Sequence, residues 1–98
     1  MATGTIKNQL HYIPMESAYL GTTSMYNFVR SAGTPQGIHI KDVQNCPDNP
    51  TSGSVATAII LKPTSNGDYS VALVFTNGSC RVSNQLAPNS SAFTWKQL

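Results

Sequence analysis

Ala56-Thr57-Ala58-Ile59-Ile60-Leu61-Lys62-Pro63 and, after the loop 64–68, Tyr69-Ser70-Val71-Ala72-Leu73-Val74-Phe75-Thr76 decide the fold. In the first segment Val55, Thr57, Ile59 and Leu61 alternate with Ala56, Ala58, Ile60 and Lys62, the period of a strand. Asn66-Gly67 supplies the positive φ angles of a hairpin between the two segments. In the second segment Tyr69, Val71, Leu73 and Phe75 share one face, opposite Ser70, Ala72, Val74 and Thr76. Asn77-Gly78 marks another turn, and Ser79-Cys80-Arg81-Val82-Ser83 reads as a short third strand. A polar loop over 84–91 contains Pro88. Phe93-Thr94-Trp95-Lys96-Gln97 closes the chain, with Phe93 and Trp95 on one side. The pattern predicts three or four antiparallel strands in sequence order.

Upstream the period changes. Ile6, Leu10 and Ile13 stand at i, i+4 and i+7, one face of a helix that Pro14 kinks or breaks. A second helical run is expected from Met15 or Glu16 to about Ser31, with Gly21-Thr22-Thr23 its weak point. Gly33 is placed to take a left-handed cap, and Pro35 forbids continuation. Residues 34–53 form a connector rich in turn formers, within which Gly37-Ile38-His39-Ile40 could be a short strand with His39 opposite the isoleucines. The expected fold class is α+β. A kinked N-terminal helix packs on a three- to four-stranded antiparallel meander, in one domain over 1–98 (helical 1–33, connector 34–53, sheet 54–98).

Charge is scarce. Six Lys or Arg and four Asp or Glu make 10 % of the 98 residues, against a usual ~25 %. A net charge of +2 gives no clustered basic field, so no nucleic-acid partner is expected. No apolar run reaches the ~18 residues of a membrane span. Cys46 and Cys80 are the only cysteines, and their separation fits no zinc or thioredoxin pattern. An even count in a weakly charged small chain favours a disulfide, hence export. Closing that loop would add ~4 kcal/mol on the chain-entropy model. Two independent buried thiols are the other reading. Met1-Ala2-Thr3-Gly4 has neither a basic segment nor a following apolar stretch. An exported chain would therefore be a mature or trimmed form.

The polar residues spell no reaction. His11 and His39 with Asp42 and Asp48 make no zinc ligand set, so neither metal nor cofactor is expected. Cys46, beside Pro47 and Asp48, lacks the surroundings that activate a nucleophilic thiol. Glu16, Asp42, Asp48 and Asp68 show no paired-carboxylate context. Trp95 with Arg81 and Lys96 could form a small aromatic-basic spot, but Trp95 reads better as core. The chain is expected not to be an enzyme.

Helix, wandering connector and antiparallel meander, carried by 56–63, 69–76 and the terminal Phe93-Thr94-Trp95-Lys96, resemble the globular head of type IV pilins and type II secretion pseudopilins. The hydrophobic N-terminal helix of that family is absent, and Gln97 stands where a pilin cysteine usually follows the last strand. The resemblance implies a structural subunit of an extracellular, cell-surface filament, periplasm-exposed before assembly, that serves attachment or motility. Its partners would be further copies of itself or a separate pilin helix, its contact with a membrane would run only through a helix absent from this chain, and Ile6, Leu10 and Ile13 would be the stub of a packing helix. Bridged cysteines would suit that reading. A secreted carbohydrate- or surface-recognition module using Tyr12, Tyr19, Tyr26 or Trp95 is a second possibility. A small virion surface protein, which tolerates free thiols, is a third.

Overall fold

The computed structural model describes residues 19–98. Their order is a short helix α1 (Met25–Arg30), then β1 (Gly37–Asp42), β2 (Thr57–Lys62), β3 (Val71–Thr76), β4 (Ser79–Ser83) and β5 (Trp95–Gln97). The strands form one antiparallel sheet in the order β1-β2-β3-β4-β5, each paired with its sequence neighbour.

This corrects the expected fold class. The described residues form a five-stranded sheet with one six-residue helix, and the long helix packed on a sheet is not seen. Its expected face Ile6, Leu10 and Ile13, with Pro14, lies outside the described residues. Of the run expected from Met15 or Glu16 to Ser31, the part within the described residues is helical only over Met25–Arg30, for local reasons. Gly21 takes φ +74°, a conformation that ends helical geometry. Ser24 then opens the helix as its N-cap, its hydroxyl accepting the Asn27 N–H at 3.0 Å. At the other end Ser31 is already extended, and Gly33 is absent from the positive-φ glycines. The left-handed cap is replaced by Lys62, whose Nζ donates to the carbonyls of Ser31 (2.8 Å) and Thr34 (2.6 Å). The extra strand is β1, which extends the expected 37–40 segment to Asp42.

Register assigns every side chain to a face, because directly opposed residues share one. Ala58 faces Val74 and Ile60 faces Ala72, and all four are fully buried. On this inner face α1 lays Met25 and Val29 into a core with Val43, Cys46, Leu86 and Phe93. The small residues Ala58 and Ala72 stand in the middle of this face. The opposite face carries the larger side chains, and nothing among the described residues packs over it as a layer.

Two polar contacts lock the layers together. The Asp48 carboxylate accepts the N–H groups of Met25 (2.8 Å) and Tyr26 (2.9 Å), satisfying donors that every helix start leaves open. Arg30 bonds Asp68 at 2.6 Å in a half-buried ion pair and also reaches the carbonyls of Asn66, Ala87 and Ser90. The Asp68 contact, chiefly, pushes the Arg30 guanidinium above its ordinary range.

Candidate functional site

The outer face is the main unexplained surface of the molecule. From β1 it displays Ile38 and Ile40, which pair with Leu61 and Ile59 of β2. From β3 it displays Val71, Leu73 and Phe75, in register with Leu61, Ile59 and Thr57. Val82 of β4 stands opposite Leu73, and Cys80 opposite Phe75. Ile38 is 55 % exposed and Phe75 38 %, while Ile59, Val71, Leu73 and Val82 are half-buried. An open end of this face holds a shallow depression of about 380 Å³ beside Ile38, Leu61, Val71 and Tyr69. Tyr69 occupies that rim with a left-handed backbone, φ +66°. The result is a continuous row of mainly apolar side chains, partly exposed, of the kind that marks interaction surfaces.

The charges on this face sit at its two sides. Asp42 on edge strand β1 shares the outward row of Thr57, Phe75 and Cys80, and Lys96 on edge strand β5 shares that of Val82, Leu73, Ile59 and Ile40. No other outward strand position bears a carboxylate, an ammonium or a guanidinium.

A cleft of about 360 Å³ on the inner side is lined by Phe28, residues 33–39 and Lys41. His39 stands edge-on to Phe28 with centroids 5.0 Å apart, and its Nε2 lies 2.8 Å from the Pro35 carbonyl. Lys41 Nζ lies 5.4 Å from the Phe28 ring centroid. These groups are engaged with the chain itself. Among the described residues no group of three His, Cys, Asp or Glu side chains gathers to hold a metal ion.

The structure keeps apart several residues that the sequence brings to mind together. Arg81 lies on the inner face opposite Val74 and donates to the Pro50 carbonyl at 3.2 Å. Trp95 packs beside Phe93 at 5.7 Å, and Lys96 points to the other side. Lys96 is therefore separated by the sheet from Trp95 and Arg81, which share the inner face. Tyr26 donates to the Ser90 carbonyl at 2.8 Å and lies under Arg30, whereas Tyr19 accepts a hydrogen bond from Asn45. They build no shared aromatic platform, and Tyr12 lies outside the described residues.

Cys46 and Cys80 are both free thiols, so the expected bridge is not formed. Cys46 is buried in the inner core with its Sγ toward the Gly21 carbonyl, and Cys80 occupies the outer face. Burial, with Asp48 and Asp42 adding negative charge, pushes the Cys46 thiol up to about 11.

The outer face was implicit in the sequence as the row Val71, Leu73 and Phe75. Its exposure was not, because the large residues of an alternating strand ordinarily mark the buried side. No family model, curated protein or solved structure matches the chain.

Proposed function

We propose that this chain is a structural subunit that acts by self-assembly, in the form of a pilus-like extracellular filament. The observation that carries the reading is the uncovered apolar face of the sheet, which gains most from being buried against protein. At ~25 cal/mol per Å² of apolar surface removed from water, even a few hundred Å² provides a substantial drive for association. Sparse charge supports it too, since copies packed at high density do not accumulate like-charge repulsion. The filament form rests on the hairpin 56–76 and the aromatic terminal strand, the segments that carry the likeness to pilin heads.

One observation favours a second form of the same activity. The unbridged cysteines suit a small virion surface protein, whose subunits need no oxidising compartment.

Sedimentation velocity over a concentration series, followed by negative-stain microscopy, tests the proposal. Wild-type chain is expected to form larger species as concentration rises, and Leu73→Lys is expected to abolish them. Filaments support the pilus-like form, and closed shells the virion form. A wild-type chain that stays monomeric throughout refutes assembly.

A further inference from the structure

We infer that a second copy of this chain covers the outer face, sheet on sheet, about a two-fold axis that runs along the strands and sets β1 of each copy over β5 of the other. The inference rests on the assembly reading and specifies its first interface.

The charges select this geometry. Asp42 and Lys96 stand at opposite edges of an otherwise uncharged, mainly apolar face. A two-fold axis along the strands exchanges left and right edges, so each Asp42 comes to the side where the other copy carries Lys96. Two opposite-charge contacts form at once, as an isologous interface requires. An axis across the strands would instead set β1 over β1 and β5 over β5, leaving both carboxylates at one side and both ammonium groups at the other.

Spacing permits the contact. Asp42 and Lys96 belong to adjacent outward rows, two residues apart along a strand, or ~7 Å. The lysine stem spans most of that offset, and the relative rotation of ~30° between packed sheets alters it further at the corners. Asp42 holds the Gln44 N–H with Oδ1 at 3.0 Å, which orients the carboxylate and leaves Oδ2 for a partner. Between the rims, Ile59, Leu73 and Phe75 supply side chains to fill the ~10 Å between facing sheets.

The area is adequate for a real contact. Five strands at ~4.8 Å spacing and about five residues long cover roughly 400 Å² of sheet plane per copy. Side-chain relief and the rim at Tyr69 raise the accessible area toward the ~800 Å² per partner of a standard interface. Rim ion pairs add little affinity, and their role here is to fix which edge meets which.

Sedimentation equilibrium of the full chain at low salt tests the arrangement, using Asp42→Lys and Lys96→Asp. Each variant alone places like charges at both rims and is expected to weaken dimerisation at least about fivefold. An equimolar mixture of the two single variants restores opposite pairs at both rims, so it is expected to give a heterodimer of wild-type affinity. The double variant is expected to recover as well. Circular dichroism checks that these exposed substitutions leave the fold intact. Assembly that ignores all four charge states refutes the two-fold arrangement and leaves the assembly reading standing. A wild-type chain that stays monomeric at every concentration refutes both.

Discussion

Cys46 and Cys80 stand on opposite sides of one sheet. Cys46 is packed into the inner core with Met25 and Val29, while Cys80 sits on the outer face directly across from Phe75. A disulfide needs Cβ atoms about 4 Å apart, and a continuous sheet between the two thiols denies it. The spacing of two cysteines in a chain cannot reveal on which face each will land.

Thiol reactivity follows from that placement. Ellman's reagent at neutral pH is expected to modify Cys80 readily in dilute, monomeric protein and to reach Cys46 only after unfolding. Two thiols that both react at once in the native protein would contradict the burial of Cys46.

The same burial predicts a pH dependence. The Cys46 thiol is raised in the folded state from 9.0 to about 11, so folding favours its protonated form. Its contribution is fully present below the unfolded value and is lost as pH rises through about 11. Urea titrations across that window are expected to show a steeper alkaline loss of stability for wild type than for Cys46→Ala. Parallel curves would show that Cys46 ionisation is not coupled to folding.

Asp48 predicts how strongly the connector holds the helix. Asp48→Ala removes the acceptor for the Met25 and Tyr26 N–H groups, and is expected to cost about 1–3 kcal/mol by denaturant titration. Asp48→Asn keeps one acceptor oxygen and should recover part of that loss. An Asp48→Ala variant as stable as wild type would mean that neither helix bond contributes to stability.

Gly67 and Gly53 make a matched pair. Both have positive φ, +86° and +83°, but a Cβ on Gly67 would stand 2.5 Å from the Val29 carbonyl oxygen, while one on Gly53 meets open space. Gly53→Ala is expected to cost ~1 kcal/mol for the backbone alone. Gly67→Ala adds a clash with main chain that cannot swing aside, and is expected to cost at least about 2 kcal/mol. Similar melting temperatures for the two variants would show that the β2–β3 loop does not press on the end of α1.

Much of the sheet was legible in the chain, and the reason is local. Alternation in 55–62 and 69–76, with Asn66-Gly67 between them, fixes strands and turn without help from distant residues. His39 likewise lies opposite Ile38 and Ile40, as its position in the alternation requires. The helix misled because Tyr19, Leu20, Met25, Phe28 and Val29 keep helical spacing across Gly21-Thr22-Thr23, where the backbone turns. Composition alone could not decide between a helix that continues and one that starts at Ser24, since tertiary contacts from Asp48 and Lys62 define both ends.

Sidedness was the harder feature, and it yields the last prediction. Leu73 and Val74 are neighbours in β3, one outward and half-buried, the other inward and fully buried. The bulkier residue sits on the open side, while the inner face sets Val74 beside Ala58 and Ala72 in the buried core. Threonine nearly matches valine in shape but brings a hydroxyl that the inner core has no partner for. Val74→Thr is therefore expected to cost about 1–3 kcal/mol. Leu73→Thr leaves its hydroxyl open to water in the monomer, so its cost there is expected to be well below that of Val74→Thr, while association weakens. Thermal melts at low concentration read the first effect and sedimentation reads the second. A larger monomer loss from Leu73→Thr than from Val74→Thr would mean that the two faces had been assigned the wrong way round.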